Sequence, residues 1–371
     1  MGTCYNNYEA NIASFVKEEI SPFANTLDKE QSIPKELIKK IADKGLFGAS
    51  IKKRYGGLEL KAVELCSMHV ALAKGHSSIE NMLTVNSMVA VPIQRFGTQE
   101  QKDTWLPALA RGEKIAAIAL TEPVCGSSLR DVQVEISEKP DYYLINGIKR
   151  WITLGQIADL FLVLCKIEGL TCAVLIDRNT PGLIIEPIFN MLGLRANLLA
   201  QITFDNCKVP KSNLVGKPVD GISTAIVFGL DEGRFTTACG SLGIASFALE
   251  LATKHITDRI ERLGEYQLVQ KLLTEMIVDV ESAKSFCFQA ALARDERDPL
   301  MIKKTLLAKY VASKAATNST CKAIQIMGAT GCHQDSGIER LYRDAKIMEI
   351  IEGTTQIHEV QIAKQYLQSK I

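Results

Sequence analysis

The apolar period of this chain changes twice, and that change limits the available folds more than any single motif does. From about Tyr8 to Leu109 the spacing is helical. In IPKELIKKIADKGLFGAS, Leu37, Ile38, Ile41 and Leu46 fall on one stripe, with Pro34 near a first turn and Gly45 near the end. AVELCSMHVALAKG and NMLTVNSMVAVPIQRFG continue in the same manner. Between about Ala116 and Ile222 the runs shorten and fill with Ile, Val, Leu and Thr. They read AAIALTEP, VQVEIS, YYLINGIKRWIT, DLFLVLCKI, LTCAVLID, GLIIEPI and AQITFDNCKVP, which is the pattern of strands. Asn146-Gly147 predicts a hairpin turn between two of them, because both residues tolerate positive φ. Helical spacing returns from about Ser223, most clearly in YQLVQKLLTEMIVDVESAKSFCFQAALA and KKTLLAKYVASKAATNSTCKAIQIMG. The expected fold is mainly α with a central β domain: N-terminal helices over 1–115, a β-barrel or sandwich over 116–222, and a C-terminal four-helix bundle over 223–371.

Charge and motifs narrow the function by exclusion. Lys and Arg number 43 against 42 Asp and Glu, so the chain has no overall field for a polyanion, and nucleic-acid binding or membrane insertion is not expected. The ten cysteines form no C-x-x-C pair and read as small reduced core residues. The five histidines have no metal-ligand or triad spacing, so no metal site is expected. Neither G-x-G-x-x-G nor a P-loop is present. The first residues show no secretory pattern, and the cytoplasm is the expected compartment.

Three segments remain informative. In YRDAKIMEIIEGTTQI, Gly353 interrupts a helix just after Ile350, Ile351 and Glu352, and Thr354 or Thr355 can cap the next one. Glu352 therefore stands at an interhelical corner beside an apolar run. It is either a capping or ion-paired side chain, or a desolvated general base. TEPVCGSS follows a strand and exposes backbone N–H groups and hydroxyls suited to a flat heteroaromatic ring or a thioester oxygen; an ordinary surface turn would look the same. In KRWITLG, Trp151 can lay an indole on a planar group beside the Thr153 hydroxyl, or simply be core.

In this order and at these distances, the three segments resemble the acyl-CoA dehydrogenase family. RFGTQEQKDTWLPALARGEKIAAIALTEP, the WIT string, IDRNTPGLII, FDNCKVPKSNLVG, LDEGRFTTACGSLGIA and AIQIMGATG extend the resemblance over almost the whole chain. The resemblance implies an FAD-dependent oxidoreductase that desaturates an acyl thioester, with Glu352 as the base that removes the α-proton. Some relatives carry the base near LDEGR, where the matching position here is Gly233; Glu232, one place away, is expected to face elsewhere. Flavin contacts would come from the main chain of Leu120 and Thr121, from Ser127, Trp151 and Thr153, and from Thr354 and Gln356. Gln325 and Gly328 would reach a neighbouring subunit's cofactor, which implies a homodimer or homotetramer. Ser127, Asp231, Arg234 and Gly353 would touch substrate, the Gly353 region donating an N–H to the thioester oxygen. For Asp231 and Arg234 a helix-surface ion pair is the competing reading.

The chain departs from the family pattern in places. Gly126-Ser127-Ser128 lacks the usual Asp, and DRIERLGEYQ shortens an Arg-x-x-Phe-Gly segment, leaving Arg259 or Arg262 to contact the pyrophosphate. Ile351 replaces the aromatic residue of fatty-acid-degrading relatives, and MEIIEG is similar to dehydrogenases of hydroxymalonyl or methoxymalonyl extender units in polyketide assembly. The implied substrate is an acyl group on a carrier protein or on CoA, and the implied acceptor is an electron-transfer flavoprotein or oxygen. A catabolic short-chain enzyme and a non-catalytic or oxygen-using paralogue are the alternatives.

Overall fold

The computed structural model describes residues 2–219, 221–260 and 262–368. Helices come first: α1 (Gly2–Phe15), α2 (Ala24–Glu30), α3 (Lys35–Asp43), α4 (Ala62–Gly75), α5 (Ser77–Phe96) and α6 (Gln99–Ala110). Leu37 and Ile41, one turn apart, bury the inner face of α3, and Pro34 stands just before its first turn. Thr98 and Gln101 close a capping box at the start of α6. Helix α5 is buried along nearly its whole length, and its polar residues find partners inside, Glu80 at His69 and Asn81 at Asn197, each at 2.8 Å.

The strands are β1 (Ala116–Ala119), β2 (Glu135–Glu138), β3 (Tyr142–Ile152), β4 (Leu160–Ile167), β5 (Leu170–Asp177), β6 (Leu183–Pro187), β7 (Ala200–Pro210) and β8 (Leu214–Val219). They join in one sheet in the order β6-β7-β3-β2-β4-β5-β8, with β1 parallel beside β4. The Asn146-Gly147 pair is not a hairpin turn. Both residues lie inside β3, and the register against β7 shifts between Ile145 and Gly147. Gly147 has φ of 135°, and a Cβ there would stand 2.8 Å from Val134 Cγ2. The dipeptide's tolerance of positive φ therefore serves a β-bulge in a long strand, where it bends the chain without ending it.

The helices that follow are α7 (Thr224–Asp258), α8 (Gln267–Asp295), α9 (Met301–Met327), α10 (Ile338–Met348) and α11 (Thr355–Gln368). The first three are long and pack together, and α7 also lies against α4 and α5. Helix α7 is long and apolar enough to cross a membrane by length and composition, yet 72% of its most apolar window is buried inside the protein. The segment between β6 and β7 ties the three regions together. Leu194 N–H donates to Asp344 of α10 at 2.6 Å, Asn197 donates to Asn81 of α5 at 2.8 Å, and the Asn197 carbonyl accepts from Leu154 at 2.9 Å. Cys165, Cys172, Cys207, Cys239 and Cys287 are buried thiols, in keeping with a core role. Cys321 and Cys332 are exposed, because one faces outward on α9 and the other lies in the turn after it.

Candidate active site

The corner between α10 and α11 is built from two consecutive left-handed residues, Glu352 with φ of 55° and Gly353 with φ of 95°. Such a conformation is costly for a non-glycine residue, so its neighbours must hold it. Thr354 Oγ1 accepts from the Ile357 N–H at 3.4 Å and caps α11, and Thr355 N–H returns to the Glu349 carbonyl at 3.1 Å. The Glu352 side chain is turned inward. Its Oε2 is buried, and among the described residues it has no hydrogen-bond partner. The capping and ion-paired readings of this residue are therefore set aside.

Room for the carboxyl comes from α7. A Cβ on Gly233 would stand 2.7 Å from Glu352 Oε2 and 2.6 Å from Met88 Sδ, so any larger residue there would collide with both. Burial pushes the Glu352 carboxyl up to about 7, with Arg234 and Lys309 drawing it back down. A carboxylate poised near neutrality, unpaired and desolvated, is equipped to take a proton from a weak carbon acid.

Arg234 Nε donates to the Glu352 carbonyl at 3.3 Å, so this residue does meet the corner. Asp231 and Glu232 lie on another face of α7 and both pair with Arg294 of α8. The helix-surface ion pair between Asp231 and Arg234 is thus not formed, and Glu232 faces away from Glu352 as expected. Asp231, Glu232 and Arg294 line a cavity of about 230 Å³ with Leu65, Val91 and Met301.

Two further residues at the corner escaped the sequence reading. Lys309 of α9 is fully buried, and its Nζ donates to the Gly353 carbonyl at 2.9 Å. His358 of α11 is also buried, with Nε2 3.3 Å from the Glu352 carbonyl. Burial drives His358 down to about 3, so the ring is neutral and Nε2 carries the proton that the carbonyl accepts. The signal for Lys309 was its place on the stripe Thr305, Lys309, Ala312, Ala316, where the other members are small and buried.

A second cluster forms where β1 runs into the TEP turn. The Thr121 carbonyl accepts from Arg150 N–H at 2.8 Å, and Lys149 Nζ donates to the Leu120 carbonyl at 2.8 Å. Lys149 and Glu122 are a buried ion pair at 2.7 Å, and Glu122 also accepts from Gln133 and Val134 N–H groups. This pair, which the sequence reading missed, fastens the turn to β3. Trp151 projects from a register shift near the end of β3 with φ of 63° and is 44% exposed, so it is not a core residue. Thr153 beside it is half-buried, and Ser127 is exposed on the turn. The Leu120, Thr121 and Trp151 positions are thus adjacent, forming a ledge whose half-exposed indole carries the Arg150 guanidinium 4.8 Å from its centroid.

The remaining positions face outward. Arg259 follows the end of α7, with Nε 3.4 Å from His255 Nε2, and Arg262 pairs with Glu265 at 3.1 Å. Gln325 is exposed in the last turn of α9, Gly328 is exposed just after it, and Gln356 is exposed in the first turn of α11. No contact within the chain carries Arg259, Gln325 or Gly328 to the Glu352 corner among the described residues.

This arrangement coincides with comparisons to known proteins. Residues 6–113, 117–207 and 220–367 match the N-terminal, middle and C-terminal domains of acyl-CoA dehydrogenases, respectively. A short/branched chain specific acyl-CoA dehydrogenase, mitochondrial, from Bos taurus is 34% identical over 95% of this chain and 83% of its own length. A glutaryl-CoA dehydrogenase from Mycobacterium smegmatis, solved in complex with FADH2, superposes with a TM-score of 0.93 at 25% identity, covering 99% of this chain and 95% of that one. FkbI, described as serving biosynthesis of a methoxymalonyl extender unit, gives a TM-score of 0.88 at 28% identity over 97% of this chain and 99% of its own. The chain belongs to the acyl-CoA dehydrogenase family of FAD-dependent oxidoreductases.

Proposed function

We propose that this protein dehydrogenates an acyl thioester between Cα and Cβ, with Glu352 as the base. The observation that carries this reading is the buried, unpartnered Oε2 of Glu352, housed against Gly233 and held near neutrality. In the proposed step the Cα–H bond breaks toward Oε2, a Cα=Cβ bond forms, and the β-hydrogen leaves with its electron pair. When bound, FAD supplies the acceptor for that pair.

The residues present fit such a cofactor. Trp151 offers a half-exposed indole, with Arg150 over its ring, beside the Leu120 and Thr121 main chain, and Ser127, Thr153, Thr354 and Gln356 would supply polar groups to such a cofactor. The outward positions of Arg259, Gln325 and Gly328 are those expected if they serve a neighbouring subunit, which makes a homodimer or homotetramer part of this proposal. Asp231 is held by Arg294 away from the Glu352 corner, so the Gly353 main chain is left to polarise the thioester carbonyl. A cytoplasmic location and an electron-transfer flavoprotein as acceptor complete the reading.

Two observations favour a carrier protein as the thioester: Ile351 before the base, and the likeness to FkbI. The likeness to a short/branched chain specific acyl-CoA dehydrogenase, at 34% identity, favours CoA. Flavin bleaching on incubation with one acyl group, presented on CoA and on a carrier protein, separates them; comparable rates on both would remove the biosynthetic reading. For the base itself, Glu352→Gln is expected to keep its flavin and fold but lose flavin reduction by the thioester and α-proton exchange. Near-normal reduction would overturn the assignment.

A further inference from the structure

The carbonyls at the corner draw donors from three helices. Glu352 O receives Arg234 of α7 and His358 of α11, while Gly353 O and Glu349 O receive Lys309 of α9, at 2.9 Å and 3.4 Å. Lys309 is the one that brings an ammonium with no exposure to solvent. A buried ammonium is expensive unless it is paired, and its hydrogen-bond partners here are main-chain carbonyls rather than a carboxylate. Those carbonyls belong to Glu349, which caps the C-terminus of α10, and to the second left-handed residue, so the ammonium bridges both sides of the break. The nearby charged groups are few: Glu352, Glu349 and Arg234.

We propose that Lys309 is a positioning residue for the base: its ammonium clamps the left-handed corner that aims Glu352 inward and places a positive charge beside the carboxyl. The inference rests on the reading of Glu352 as the base only for its consequence in catalysis; the clamp is a statement about the corner itself. Two functions follow from one group. As a donor, Lys309 holds two successive left-handed residues that would otherwise relax. As a cation, it favours ionised Glu352 against the burial that opposes ionisation.

Burial also lowers Lys309, to about 7, while Glu352 and Glu349 raise it and Arg234 lowers it. Glu352 and Lys309 therefore titrate as a pair. On the acid side activity is limited by protonation of the pair's carboxyl, and on the alkaline side by loss of the ammonium that holds the corner. His358 stays neutral throughout and contributes no limb.

The test is an infrared titration of the Glu352 carboxyl in the FAD-loaded protein, isolated as the difference between parent and Glu352→Gln. In Lys309→Met the carboxyl midpoint is expected to move alkaline by one unit or more, and the acid limb of kcat/KM for flavin reduction should move with it. Lys309→Arg, which keeps the charge and does not titrate, should restore the midpoint and displace the alkaline limb. An unmoved carboxyl midpoint in a folded, flavin-bearing Lys309→Met protein overturns the inference. Should that variant fail to fold, Lys309→Gln, which keeps a donor but no charge, is read by the same criterion. The base reading fails differently: normal flavin reduction in Glu352→Gln would remove the catalytic role yet leave the carboxyl titration and its dependence on Lys309 intact.

Discussion

Replacing Gly233 with Ala tests whether the space beneath the carboxyl is what aims it. The new methyl would stand 2.7 Å from Glu352 Oε2, 2.8 Å from its Cδ and 2.6 Å from Met88 Sδ. Favourable contacts lie at roughly 3.5 Å and beyond, so the group must open by roughly 0.8 Å. Met88 is fully buried, so the carboxyl and the thioether must share the displacement. Overpacking of this kind costs about 1–3 kcal/mol, and Ala for Gly inside a helix returns about 0.8–1 kcal/mol. The net loss of stability is therefore small, about 0–2 kcal/mol. A reacting group misplaced by about 1 Å loses on the order of 100-fold in rate. Stopped-flow reduction of the bound flavin by an acyl thioester, alongside urea denaturation, should show a large kinetic loss with a modest stability loss. A variant reduced at the parental rate would refute the argument that Gly233 exists to house the base.

Other perturbations probe different parts of the site. Lys149→Met strands Glu122 as a buried unpaired charge, so urea denaturation should report a loss of about 3–5 kcal/mol, with flavin retained less well because the TEP turn loosens; an unaltered midpoint would mean the ion pair is dispensable. Trp151→Ala removes a half-exposed ring, so stability should change by less than about 1 kcal/mol while flavin dissociates more readily on gel filtration; undiminished retention would exclude the indole as a cofactor platform. The Glu352 carboxyl ionises near 4.5 when unfolded and near 7 when folded, so the folded chain holds an extra proton between those values and this group's contribution to stability falls as pH rises through them. Glu352→Gln should accordingly gain on the parent by on the order of 1–3 kcal/mol between pH 4.5 and pH 8 in urea titrations, whereas a difference independent of pH would contradict the raised value.

How much of this was legible beforehand depends on what kind of physics each feature obeys. The break at Gly353 and the cap at Thr354 are local, and the string IEGTTQI contains everything needed to read them. Asn146-Gly147 was equally local but ambiguous, because a hairpin turn and a β-bulge demand the same positive φ; only the pairing of β3 with β7 decides between them. Trp151 was ambiguous for another reason. Its strand mixes buried and open positions, and the shift in register that turns its ring outward depends on how Ile152 aligns with Ala200. Lys149 and Lys309 left a faint trace, each a charge set among buried neighbours, but the carboxylate or carbonyls that justify them lie 27 and 44 residues away in the chain.

The chemistry of the corner follows from that separation. Glu352 is raised because α7 presents a glycine and α5 a methionine where a looser packing would admit water, and α7 can do so only because it runs through the interior between α5 and the C-terminal helices. The same burial that makes the carboxyl a competent base makes a neighbouring ammonium reluctant to keep its proton, so the two groups moderate each other. Removing the water without supplying Lys309 and Arg234 would leave a carboxylic acid too weak to ionise at neutral pH. Supplying them without the burial would leave an ordinary salt bridge too weak in basicity to take a carbon-bound proton. The site needs both, and the left-handed corner is the geometry in which one side chain can turn into the interior while its own main chain stays tied to the helices that tune it.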